Sequence, residues 1–111
     1  MKNLIGPKDV VATINDIHDW IIDAQKGEEA CYFIGELSRA RIIDQNNKTI
    51  ISDSANHVWG LHKKGLVNLV QKKGQKTETL MLIKHKSEMV EKMIRYHAYH
   101  YIMQRTDLRQ H

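Results

Sequence analysis

Seven histidines, one cysteine and a block of lysines are the residues of this 111-residue chain best suited to chemistry. A zinc site needs three or four ligands in a coherent geometry. His97 and His100 stand at i and i+3, His57 and His62 at i and i+5, and Cys31 has no Cys-x-x-Cys partner. No metal site is expected from these spacings. Ser52-Asp53-Ser54 with His57 offers a hydroxyl, a carboxylate and a base. Yet no nucleophile elbow, phosphate-cradling loop or apolar carboxylate pair accompanies them. The expectation is no catalytic residue, no cofactor and no enzyme. Cys31 lies in the apolar run Ala30-Cys31-Tyr32-Phe33-Ile34, where a thiol packs as a small inert hydrophobe.

Charge is what remains. The net charge is +4, but the two signs are segregated along the chain. Lys8 to Glu36 holds two lysines against seven acids, whereas Leu61 to Lys86 holds seven lysines against Glu78 alone. Lysines so concentrated favour a polyanionic partner. Lys63 and Lys64 close one apolar-periodic segment, and Lys72, Lys73 and Lys76 sit in a glycine-containing loop shortly after it. Nucleic-acid affinity comes chiefly from such cations displacing counterions from phosphates. Asn56 and His57, expected early and exposed on that segment, are the side chains suited to base edges, Asn for adenine and His for a base or phosphate. The plainer readings are a solvated lysine loop and ordinary surface residues. Arg39 and Arg41 are expected as partners of Asp44 or of the acidic first helix.

Hydrophobic periodicity predicts the elements that must position these groups. Val10, Val11, Ile14, Ile17, Ile21 and Ile22 recur at helical spacing from Pro7 to a stop at Lys26-Gly27. Ala30 to Ile34 reads as a short strand between glycines, followed by a helix from Glu36 to Ile43 with Leu37 and Ala40 inward. A polar turn at 44–48 precedes a third helix capped near Ser52-Asp53. Ala55, Val58, Trp59 and Leu61 or His62 are its expected buried stripe, Ser54 is expected outside, and Gly65 stops it. Residues 66–71 and 79–83 read as a β-hairpin joined through Lys72 to Lys76. Ser87 to Arg105 reads as a long helix, with Val90, Met93, Ile94, His97 and Tyr101 on one stripe and Tyr96, Tyr99, Ile102 and Met103 as further apolar surface. Aromatic residues and methionine are enriched at interfaces, so this helix is expected to make a homodimer.

The length fits one domain, with a core over residues 7–86 and the helix over 87–106. An apolar fraction of 41% with 27% charged residues excludes the composition of a disordered chain. No run approaches the roughly 18 apolar residues of a membrane span. Met1 to Pro7 is too short and weakly apolar for a secretory signal, and a lone cysteine suits a reducing compartment. A cytoplasmic protein without a membrane partner is expected.

The order of helix, short strand, helix, turn, helix, basic hairpin over Pro7 to Lys86 resembles the winged helix-turn-helix family. The stretch Val58-Trp59-Gly60-Leu61-His62-Lys63-Lys64-Gly65-Leu66-Val67-Asn68-Leu69 carries the likeness, being similar to the join between recognition helix and first wing strand. Gly27-Glu28, Tyr32, Gly35, Leu37 and Arg41 are similar to small proteins of phages and prophages. The resemblance implies an α+β fold, a third helix in the major groove of double-stranded DNA, and a wing on the phosphates. It also implies a small transcriptional regulator, located in host cytoplasm if phage-encoded. The second reading is a phage-encoded interaction module that inhibits a host enzyme, since winged helices also bind proteins. RNA is a third partner that the same lysines suit. The DNA reading requires the central lysines and the outer side of the third helix to lie along one continuous cationic strip, with the early carboxylates pointing away from it.

Overall fold

The computed structural model describes residues 1–74 and 76–108. Nine elements follow in order: β1 (Lys2–Asn3), α1 (Ile14–Asp23), β2 (Glu29–Gly35), α2 (Leu37–Ile43), α3 (Lys48–Lys63), β3 (Val67–Lys72), β4 (Lys76–His85), β5 (Glu88–His97) and β6 (Tyr99–Arg105). The fold is α+β: three helices pack with a mixed four-stranded sheet of order β1-β2-β6-β3. β1 runs parallel to β2, and the other pairs are antiparallel. No helix among the described residues is long and apolar enough to cross a membrane.

Helix α1 starts later than the apolar spacing predicts. Val11 bridges Phe33, and the Ala12 amide donates to the Tyr32 carbonyl at 2.9 Å, so this stretch runs extended beside β2. Thr13 then caps the helix, its hydroxyl accepting from the Asp16 amide at 3.1 Å. The helix ends at Asp23, before the expected stop, and Gly27 instead takes its φ of 86° in the turn into β2. The core gathers Ile17, Trp20 and Ile21 of α1, Ala30, Tyr32 and Phe33 of β2, Ile51, Val58 and Leu61 of α3, and Val67 and Met103.

The region after β3 departs most from expectation. The expected hairpin of 66–71 with 79–83 does not form: β3 pairs with β6 from Val67↔Arg105 to Lys72↔His100. The long helix expected over 87–106 is replaced by two strands, and its expected stripe is dispersed. β6 fills the centre of the sheet, pairing with β2 and β3 at once, so the backbone hydrogen bonds gained there outweigh local helical spacing. β4 pairs with β5 along ten residues each, from Lys76↔His97 to His85↔Glu88. Lys86 and Ser87, at φ 48° and 71°, make the two-residue turn. Ten residues extend about 34 Å, and the molecule measures 54 × 26 × 25 Å. A two-stranded arm therefore projects from the domain, inserted between β3 and β6. Gln75, within the expected loop, and the Tyr96 side chain lie outside what is described.

The joint between sheet and arm is tight. A Cβ on Gly74 would overlap the Ala98 carbonyl oxygen, a backbone atom that cannot swing aside. Gly74→Ala should therefore destabilise by about 1–3 kcal/mol. Thermal melts of the two proteins check this, and equal midpoints would refute the close approach.

Candidate functional site

Helix α3 is the central candidate element. Asp44 holds the turn before it, its carboxylate accepting from the Asn47 side-chain amide at 2.8 Å and the Asn47 backbone amide at 3.3 Å. The helix therefore begins at Lys48, a turn before the expected cap at Ser52-Asp53, and the extra turn buries Ile51. Its inner stripe is Ile51, Ser54, Ala55, Val58 and Leu61. Ser54, expected outside, is 2% exposed, and Trp59, expected inside, is 53% exposed. Trp59 follows Val58, one helical step of about 100° around the axis, which carries it off the stripe. At the far end Gly65 donates to the His62 carbonyl and Leu66 to the Leu61 carbonyl, a Schellman close with Gly65 at φ 79°.

The expected site residues fall into three groups. Asn56 is exposed on the outer side of α3, together with Asp53, the only acid of that helix, and Lys63. Gly60 lies near them, and a Cβ built there meets open space. His57, the neighbour of Asn56, is only half-exposed, and its Nε2 is buried without a hydrogen-bond partner. Burial first, then the charges of His18 on α1 and Lys64, hold its pKa below the ordinary value. His57 thus packs on the α1 side of α3. Lys63 and Lys64 are exposed at the C-terminal end of α3, where cations complement the helix dipole.

Lys72, Lys73 and Lys76 are exposed at the other end of β3. Val67 to Lys72 spans about 17 Å, so the two lysine groups flank β3 and do not form one cluster. They also sit at the base of the arm, whereas the hairpin tip is Lys86-Ser87. Lys72 Nζ lies 3.8 Å from Glu29 Oε1, which offsets part of its charge. The α1 acids lie elsewhere: Asp16, Asp19 and Asp23 line a hollow with Lys2 to Gly6 at the β1 edge of the sheet. β3 forms the opposite edge, about 14 Å away across the strands.

Sequence reasoning missed a cavity of about 380 Å³ between α2, α3 and β3. Leu37, Arg41, Asn56, Trp59, Gln71 and Tyr101 are among its walls. Arg41 makes no ion pair with Asp44 among the described contacts, and Arg39 pairs instead with Glu36 at 3.3 Å. Tyr101 holds the start of α2, its hydroxyl oxygen accepting from the Leu37 amide at 3.1 Å. Burial, with smaller contributions from Tyr101 and Cys31, pushes the Tyr32 hydroxyl up to about 12. The helical step that carries Trp59 off the stripe of Val58 was the sequence signal for this wall, masked by its apolar character. His62 Nδ1 lies 3.0 Å from the Val67 carbonyl, which only accepts, so Nδ1 carries the hydrogen. The His62 ring in turn sits 5.3 Å from that of Trp59.

Cys31 is buried, donates to the Phe33 carbonyl at 3.5 Å, and has its pKa raised by burial. His97 and His100 stand on different strands, so their helical i, i+3 relation is lost. Among the described residues no group of three or more His, Cys, Asp or Glu is placed to hold a metal ion.

A depressed histidine pKa makes the unfolded chain bind the proton more readily. The folded state should therefore lose stability as pH falls from about 6.5 through the lowered pKa of His57. His57→Gln removes this contribution, so its melting temperature should fall less than that of the parent between about pH 7.5 and pH 5. Parallel pH profiles of the two proteins would refute the buried, neutral imidazole.

No protein-family model, no curated protein and no solved structure matches this chain, so the reading of the site rests on its own geometry.

Proposed function

We propose that this chain binds double-stranded DNA in the winged-helix manner, α3 entering the major groove and the hairpin built on β3 and β6 following the phosphates. The observation that carries the reading is the outer side of α3, bare at Gly60 and bordered by Asn56 and Lys63. A glycine inside a helix costs about 0.5–1 kcal/mol relative to alanine. No neighbouring group occupies the space a Cβ would take, so packing gives no reason for glycine there. Close approach of another molecule's backbone does. The sheet order β2-β6-β3, with α2 and α3 between β2 and β3, supports the winged arrangement. The α1 carboxylates lie at the β1 edge, and among the described contacts Lys72 alone of the lysines near β3 pairs with an acid, Glu29, which supports a phosphate-facing side.

On this reading Asn56 reads a base edge. Lys63, Lys64, Lys73 and Lys76 contact phosphates, Lys72 less so because of Glu29, and His57 serves the fold. The chain then acts as a small transcriptional regulator. Homodimerisation on this reading runs through the arm, because β6 is already paired on both edges. Leu80 at 62% and Met89 at 60% exposure support a partner there. The second reading, a module that docks on a host protein, is favoured by Ile42 at 74% and Ile50 at 53% exposure near the α2–α3 turn.

Fluorescence anisotropy with mixed duplex DNA at several salt concentrations tests the proposal. The logarithm of affinity should fall linearly with the logarithm of salt. Alanine at Lys63, Lys64, Lys73 and Lys76 together should weaken binding at every sequence and lower the slope by about 3–4. Gly60→Ala should raise the melting temperature by a few degrees, about 0.5–1 kcal/mol, while weakening DNA binding about tenfold, 1.4 kcal/mol. Equal retention of duplex by the quadruple variant would sink the reading. A stoichiometric protein partner without DNA retention would favour the second.

A further inference from the structure

We infer that the cavity between α2, α3 and β3 is a binding site for a small planar aromatic anion, a ring bearing a carboxylate or phosphate. Its volume, about 380 Å³, lies within the range of about 300–1,000 Å³ that small-molecule sites occupy. Leu37, Ala55, Leu69 and Val70 give it apolar walls, and the rings of Tyr32, Trp59 and Tyr101 border it. Trp59 is half-exposed, although an indole of its size gains most when covered. Flat aromatic surfaces of this kind favour a planar guest.

The polar part of the lining selects for charge. Arg41 lines the cavity, and no Asp or Glu does, so its guanidinium is the single formal charge of the walls. Arg41 Nε is buried and has no hydrogen-bond acceptor. Among the described contacts no carboxylate pairs with the Arg41 guanidinium, and a carboxylate or phosphate entering the cavity supplies that counter-charge. Asn56 and Gln71 add amide groups that can donate to or accept from polar atoms on the ring. A neutral ring would leave Arg41 unmet, and an aliphatic anion would leave the aromatic walls uncovered. The combination specifies both halves of the ligand.

The test titrates the full chain with indole-3-acetate and with adenosine 5′-monophosphate, following the Arg41 Nε–H and Trp59 indole N–H resonances. Their uncharged counterparts, tryptophol and adenosine, are titrated alongside. Saturable shifts at both resonances are expected with at least one anion, which also tells carboxylate from phosphate as the preferred group. The matching neutral compound should bind at least tenfold more weakly. Arg41→Lys keeps the charge but loses the planar fork, and should weaken binding about tenfold. Arg39→Lys, outside the cavity, should leave binding unchanged. The inference is overturned if neither anion gives saturable shifts up to about 10 mM, if the shifts map elsewhere, or if the neutral compounds bind as well. The comparison of charged with neutral ligand is made on the parent protein, so it stands even where Arg41→Lys unfolds.

Discussion

The pairing of β6 with both β2 and β3 is the constraint on which the other elements depend. β6 supplies Ile102 and Met103 to the interior and bonds Gly35 through Glu29 on one side and Val67 through Lys72 on the other. Without it β2 and β3 are separate strands, and the surface on which α1 and α3 pack has a gap at its centre. The lower end of β6 is anchored again by Arg105, 4% exposed, whose Nη1 donates to the Leu66 carbonyl at 2.9 Å and the Leu108 carbonyl at 2.8 Å. Leu66 is the residue that ends the Schellman close of α3. One buried cation thus links the end of the sheet to the end of the helix that carries Asn56 and Lys63. Buried charges persist only where hydrogen bonds of this kind satisfy them.

That pairing must be reached across an excursion. The arm of β4 and β5 separates β3 from β6, and the entropy of closing a loop rises only with the logarithm of its length. Strand pairing inside the arm shortens the effective gap further, because Lys76 and His97 are already opposed. The close approach of Gly74 to Ala98 then sets where the ladder of the arm meets the ladder of the sheet. Arm and sheet are two segments of one long hairpin, divided at this joint. An isolated two-stranded hairpin is marginally stable in water, and the Glu78–Arg95 ion pair at 2.8 Å, exposed and near the base of the arm, adds little to it.

Much of the first half of the chain was legible. Ala30 to Ile34 is bounded by turn residues, Leu37 and Ala40 keep helical spacing, and Gly65 ends a helix as its type requires. Errors there were shifts of a turn, made where Thr13 and Asp44 decide the boundary through side-chain hydrogen bonds that periodicity does not register. The second half was misread for a physical reason. Between Gly74 and the C-terminus there is no glycine or proline, so nothing marks the turn at Lys86-Ser87 or the break at Ala98. No described side chain of β5 is buried, so burial imposes no period of two there, and Val90, Met93, Ile94 and His97 fit a helical template by spacing. For the site, Asn56 and the lysines were chosen as candidates by residue type, and the structure leaves them exposed. Their separation by the length of β3, the inward lean of His57 and the cavity around Arg41 depend on packing that no local pattern encodes.

The two proposed uses of α3 are physically connected. Asn56 stands both on the outer side of the helix and in the wall of the cavity, and Trp59 follows it by one turn. A guest that engages Asn56 removes an amide that the DNA reading assigns to a base edge, and a guest resting on Trp59 changes the shape beside Gly60. Linkage then requires that duplex and guest weaken each other by the same factor. The sign follows from geometry: a shared side chain can satisfy one acceptor set at a time, so the coupling is negative. A positive coupling would need the guest to order α3 without occupying Asn56. The walls of the cavity leave little room for that, because Asn56 lines it together with Ala55 and Trp59.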